Sequence, residues 1–241
     1  MTSPSPLDPA THRDLRVRTG ASDDLGDGIM ACLAVPSEFR RVQDCFPILF
    51  RLDMERDSFD AIALFGFEAG ENLFVENGEW DASYKPLAMD VQPFLIGRSG
   101  DGEDRDELQV DPAHPRIAGA DEAQGVRVFE DDGAATPFLE SVREKLAALD
   151  AGYRDSSGFF DALRRHDLLE PFTLDITFAD GSVQQLDGYH AINEERLRLL
   201  DGAGLGGLHI DGHLEPLFMA LASLSRIGAL IDRRNARIAV G

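Results

Sequence analysis

Two dipeptides, Asn77-Gly78 and Asp180-Gly181, constrain the fold of this chain more than any other feature. Both residues of such a pair tolerate positive φ, which a two-residue turn between antiparallel strands demands. Apolar runs flank each pair, at 72–76 and from Trp80 onward for the first, and at 172–179 and 182–192 for the second. Leu174, Ile176 and Phe178 alternate with Thr173, Asp175 and Thr177, the period-2 pattern of a strand with one wet face. Two hairpins require antiparallel pairing, and the second is expected to join two central strands of a sheet.

Further strands are predicted at 29–35, 47–52, 59–67, 93–96 and 107–110, each a short apolar or alternating run bounded by Gly, Pro or Asp. Ser37 is read as the cap of a short helical turn containing Phe39 and Val42. Helical spacing takes over later. Thr136 and Pro137 form a cap and first-turn pair ahead of Phe138, Val142, Leu146 and Leu149, predicting a helix over 137–151. A second helix is predicted over 158–168, stopped by Pro171, and the longest over 214–234, with Gly228 marking a close backbone approach. The glycine-rich stretch 202–207 reads as a helix stop and linker. Strands early, helices late and no β-α-β alternation predict an α+β fold, with a mixed or antiparallel sheet and helices concentrated in the C-terminal half.

The chain has 241 residues, 43% of them hydrophobic, enough for one domain, expected over 12–241 after a flexible, proline-rich tail over 1–11. The acidic run 100–107 is expected to be a solvated loop. The net charge of −21, from 44 acidic and 23 basic residues, argues against nucleic acid and against anionic membrane surfaces. It favours a basic protein, a cation or a neutral ligand as partner. Cys32 and Cys45 fit neither a disulfide scaffold nor a zinc or redox pair and are read as reduced. With no signal-peptide core and no long apolar span read in the sequence, a cytoplasmic location without a transmembrane segment is expected.

The stretch 65–97, FGFEAGENLFVENGEWDASYKPLAMDVQPFLIG, is more particular than generic core. With Glu38-Phe39, the run 46–50 (FPILF) and the run 174–181 (LDITFADG), it resembles the SapC family of bacterial proteins, named from a surface-layer locus. The matching elements are Gly-Glu-Asn-Leu-Phe, Gly-x-Trp and Tyr-x-Pro, here Gly70 to Phe74, Gly78 to Trp80 and Tyr84 to Pro86. The resemblance implies an accessory or interaction protein of a cell-surface or export pathway, with a protein partner. It assigns no catalytic residue and no cofactor, and the chain carries no P-loop, nucleophile elbow or dinucleotide motif.

Two constellations remain as candidate sites. Glu71, Asn72, Trp80 and Tyr84 offer a carboxylate, an amide, an indole and a phenol that could hold a small-molecule ligand. The competing reading makes Trp80 a buried core anchor, Asn72 a turn residue and Glu71 a solvated one. His209, Asp211 and His213 could ligate a metal ion, but Asp211 has a complete alternative as the N-cap of the last helix. No bound metal or other cofactor is expected. An enzyme or small-ligand protein built around Trp80, with a metal at His209 and His213, is the alternative to the interaction protein.

Overall fold

The computed structural model describes residues 3–98, 106–118 and 125–240. It is an α+β protein whose sheets are antiparallel. Its contacts divide into two compact units. Met1–Gly28, Val75–Asp81 and Leu87–Ala151 form the first, and Ile29–Phe74, Ala82–Pro86 and Gly152–Gly241 the second.

The second unit is built on a five-stranded sheet in the order Leu169–Thr177, Val183–Ile192, Ile48–Asp53, Ser58–Leu64, Ala31–Ala34. Ile48, Leu49 and Phe50 are all buried, as are Ala61 to Leu64, so these inner strands lose both faces to packing. Phe46 meets Phe65 at 5.0 Å and Phe74 at 4.6 Å, and Phe159 meets Phe39 at 6.0 Å, each pair edge to face. The helix Leu214–Ser223 is pinned to the sheet by Ser223, whose hydroxyl accepts from Ile48 N (2.8 Å) and donates to Ala220 O (2.5 Å).

Several expectations change here. The second hairpin forms, with Gly181 at φ 84°, but Leu169–Thr177 is the border of the sheet and not its centre. Glu170, Pro171, Thr173, Asp175 and Thr177 are exposed along it, and Pro171, which lacks an N–H for a second neighbour, suits a border position. Pro171 lies in this strand, while the preceding helix already ends at Arg165. The helices expected at 137–151 and 158–168 are one, Pro137–Arg165. Gly152 does not break it; a Cβ there would come within 2.6 Å of Ser37 Oγ and 2.7 Å of Val35 Cγ2, so glycine lets the helix touch the 35–37 segment. The stretch read as a linker is the helix Gly202–Ile210, started by Asp201, whose carboxylate accepts from Gly204 N at 2.8 Å. The final helix is divided by a turn at Leu224 and Ser225 into Leu214–Ser223 and Arg226–Val240, and Gly228 has no neighbour within 4 Å of an added Cβ. By length and composition Leu214–Ala239 could cross a membrane, with 22% of its most apolar window buried.

The first unit contains a three-stranded sheet in the order Ser5–Pro6, Asp106–Val110, Phe94–Arg98. Where the sequence reads as a tail, Ser5 and Pro6 pair with Val110 and Gln109. Of the acidic run 100–107, residues 100–105 lie outside the described residues and the rest opens the middle strand. The core gathers Val17, Phe94, Val110, Phe129, Leu139 and Val142. Thr136 caps its helix as expected, its hydroxyl accepting from Leu139 N (3.3 Å) and donating to Val128 O (3.0 Å). A buried ion pair also sits in this unit. Arg116 and Asp27, 4% and 3% exposed at the side chain, meet at 2.6 Å, and Arg116 donates further to Arg18 O and Gly20 O, both at 2.9 Å. Those extra acceptors offset the desolvation that makes a bare buried pair costly.

The first hairpin forms as read, Val75–Glu76 against Glu79–Trp80, with Asn77 and Gly78 at φ 52° and 83°. Trp80 opposes Val75 and is half-buried, so it is not the core anchor that its size suggests.

Candidate functional site

In the second unit a short turn, Pro36–Glu38, leads into the helix Phe39–Cys45. Ser37 does not cap it. The helix has no side-chain cap; Glu38, 4% exposed, instead closes the preceding turn from inside the fold, one carboxylate oxygen accepting from Val35 N at 3.1 Å. The other oxygen accepts from the Tyr84 hydroxyl at 2.6 Å, a charge-assisted bond that ties 82–86 to this helix. The Arg41 guanidinium lies 5.5 Å from the centre of the Tyr84 ring. Burial pushes the nearby Cys32 thiol well above its ordinary pKa; the Glu38 charge adds to this and Lys85 opposes it. The thiol is therefore an inert, neutral group at physiological pH. Glu38, Cys32 and Lys85 are the members of this cluster that sequence reasoning did not single out as a site. Glu38-Phe39 and Tyr84-Lys85-Pro86 both lie in the stretches carrying the family resemblance, and that was the available signal.

Tyr84 lines an open groove of about 770 Å³ along the Phe39–Cys45 helix, with Arg40, Arg41, Asp44, Glu215 and Met219. A narrower part of about 410 Å³ shares Arg40, Glu215 and Met219 with it. There the floor includes Phe159 and Pro216, and Asp155, Asp211 and Glu215 stand among the lining residues. Asp211 and Glu215 come from the one stretch 211–216, and Asp155 from the helix Pro137–Arg165. Arg40 and Glu215 meet across the junction at 3.5 Å, both well exposed.

The other candidate residues are engaged elsewhere. Glu71 is 9% exposed at its side chain, accepting from Phe67 N at 2.8 Å and from Arg234, so the reading of a solvated Glu71 is corrected. Asn72 is buried in a turn, its side-chain oxygen accepting from Phe74 N at 3.0 Å and its backbone carbonyl accepting from Arg237 at 2.9 Å. With Arg233 over the Phe74 ring at 4.4 Å, the arginines of the last helix clamp the 68–74 loop. Gly66 belongs to the same contact, since a Cβ there would lie 2.6 Å from Glu71 O. Trp80 belongs to the first unit, and Glu71, Asn72 and Tyr84 to the second.

His209 is exposed in the last turn of Gly202–Ile210, and Asp211 is the C-cap of that helix. The expected N-cap role of Asp211 is thus overturned: His213 holds that position, without a side-chain bond, because the helix begins only at Leu214. The His213 ring packs against Phe159, centres 5.9 Å apart. No group of three or more His, Cys, Asp or Glu placed to hold a metal ion occurs among the described residues.

Antiparallel sheets, a helical C-terminal half and strong acidity define the class: an acidic α+β protein with a helix-lined groove. A family model described as SapC matches residues 7–230 of the 241, and the chain belongs to the SapC family. Comparison with curated proteins and with solved structures finds no match.

Proposed function

We propose that this chain is an interaction protein that holds a protein partner on the helical surface of its second unit, as a cytoplasmic accessory component of a cell-surface or export pathway. The observation that carries the reading is the groove between Phe39–Cys45 and Leu214–Ser223, with large apolar side chains left in solvent beside it. Ile210 (83% exposed) precedes the groove residue Asp211, and Phe218 (43%) precedes Met219. Apolar groups left in water next to a concave, polar-rimmed surface are what a partner interface requires. The pathway clause is supported by family membership, and the cytoplasmic clause by two free thiols at Cys32 and Cys45.

Site-specific photo-crosslinking in the native cell tests it. A photoreactive residue at Phe218 should capture one discrete protein, and the same residue at Val183, 68% exposed at the turn of the second hairpin and outside the groove lining, should not. Capture of nothing, or of the same species from both positions, would remove the reading.

A further inference from the structure

Charge is distributed unevenly along the groove. The narrower part sets Asp155, Asp211 and Glu215 against the single guanidinium of Arg40, while the wider part balances Asp44 and Glu215 with Arg40 and Arg41. Arg40 and Glu215 already pair loosely, and Arg41 is occupied over Tyr84. The Asp155 and Asp211 side chains have no hydrogen bond or ion pair among the described residues. Beside them the half-buried Pro216 and Met219 offer apolar surface. Apolar surface beside unpaired carboxylates that line the same groove matches a side chain with an aliphatic stem and a cationic head. The shape continues past that point into the wider groove, which has room for the residues on either side of such a side chain.

We infer that the groove receives a basic linear segment of a partner protein, with an arginine or lysine side chain entering between Asp155 and Asp211. This rests on the interaction reading above and names the partner's chemistry. A second copy of the chain is disfavoured as the occupant, because two molecules of charge −21 repel. Anionic lipid and nucleic acid are disfavoured on the same ground.

The probe is a fluorescein-labelled peptide of about eight residues alternating arginine and leucine, titrated with the full-length chain at about 0.15 M salt and read by anisotropy. Asp155→Asn combined with Asp211→Asn should weaken binding by about tenfold or more. Asp175→Asn combined with Asp187→Asn removes the same charge from the exposed hairpin and should change it by less than about twofold. A glutamate-leucine peptide should not bind. Equal weakening by both double variants would mean diffuse attraction to an acidic surface, and would overturn the inference. So would binding of spermidine that depends on Asp155 and Asp211 without binding of the peptide, which would assign the groove to a free amine. Circular dichroism establishes that the variants are folded. If the partner crosslinked from Phe218 is captured equally by the Asp155→Asn, Asp211→Asn chain, this inference falls and the wider interaction reading stands.

Discussion

Gly66 is the residue whose chemistry is most tightly dictated by its surroundings. An added Cβ would collide with a backbone carbonyl, Glu71 O at 2.6 Å, and with the Glu71 side chain at 2.9 to 3.0 Å. Backbone cannot swing aside as a side-chain tip can, so Gly66→Ala should cost about 1–3 kcal/mol by urea unfolding. An unchanged midpoint would show that the 66–71 contact is loose. His114 makes a pH-dependent contribution. Burial, then the Arg116 charge, lowers its pKa below the ordinary 6.5, so the folded state favours the neutral ring. Stability from this group is complete above the unfolded value and is lost as pH falls through the folded value. His190 is lowered by burial and contributes in the same direction. Between about pH 8 and pH 5 the native chain should therefore lose more stability than His114→Gln, and parallel profiles would refute the assignment. What the sequence made legible at this scale is what is local. Asn77-Gly78 and Thr136-Pro137 act over two to four residues, and both are found as read. Asp27 and Arg116 lie 89 positions apart, and Glu38 and Tyr84 46 apart, so no spacing rule could pair them.

Among the elements, the helix Gly202–Ile210 shows most clearly why propensity misleads. Gly202, Gly204, Gly206 and Gly207 each disfavour a helix by about 1 kcal/mol relative to alanine, which is why the stretch reads as a stop. Asp201 at the start and buried Leu208 near the end hold it nonetheless. Gly206 and Gly207 have nothing within 4 Å of an added Cβ, so the glycines are not needed for space. Gly206→Ala should accordingly raise stability by about 0.5–1 kcal/mol in denaturant unfolding. A loss would mean that an unseen close approach depends on the bare backbone. The inner strands were legible because continuous apolar runs such as 46–50 have no other place to go. The misreading of Leu169–Thr177 as central has a matching cause: alternation reports one buried face, and a border strand has that as well.

At the scale of the whole molecule the chain visits each compact unit in three segments, and Pro137–Arg165 runs on without interruption where Ala151 gives way to Gly152. The expectation of a single cooperative domain over 12–241 can be tested with a probe the chain supplies. Its one tryptophan, Trp80, reports the first unit, while far-ultraviolet circular dichroism is dominated by helices of the second. The two urea transitions should coincide, as two-state unfolding demands. Separated midpoints would make the units independent domains. The border strand Leu169–Thr177 has a further consequence. A row of unpaired N–H and C=O groups invites another chain to extend the sheet. Here Pro171 has no N–H to offer, and Glu170 and Asp175 hold carboxylates in water along the same strand. Opposite Thr173 the partner strand spends two residues, Asp187 and Gly188, in a bulge that adds twist. A border so interrupted resists growth into a cross-β stack, which guards a concentrated population of these molecules against fibre formation.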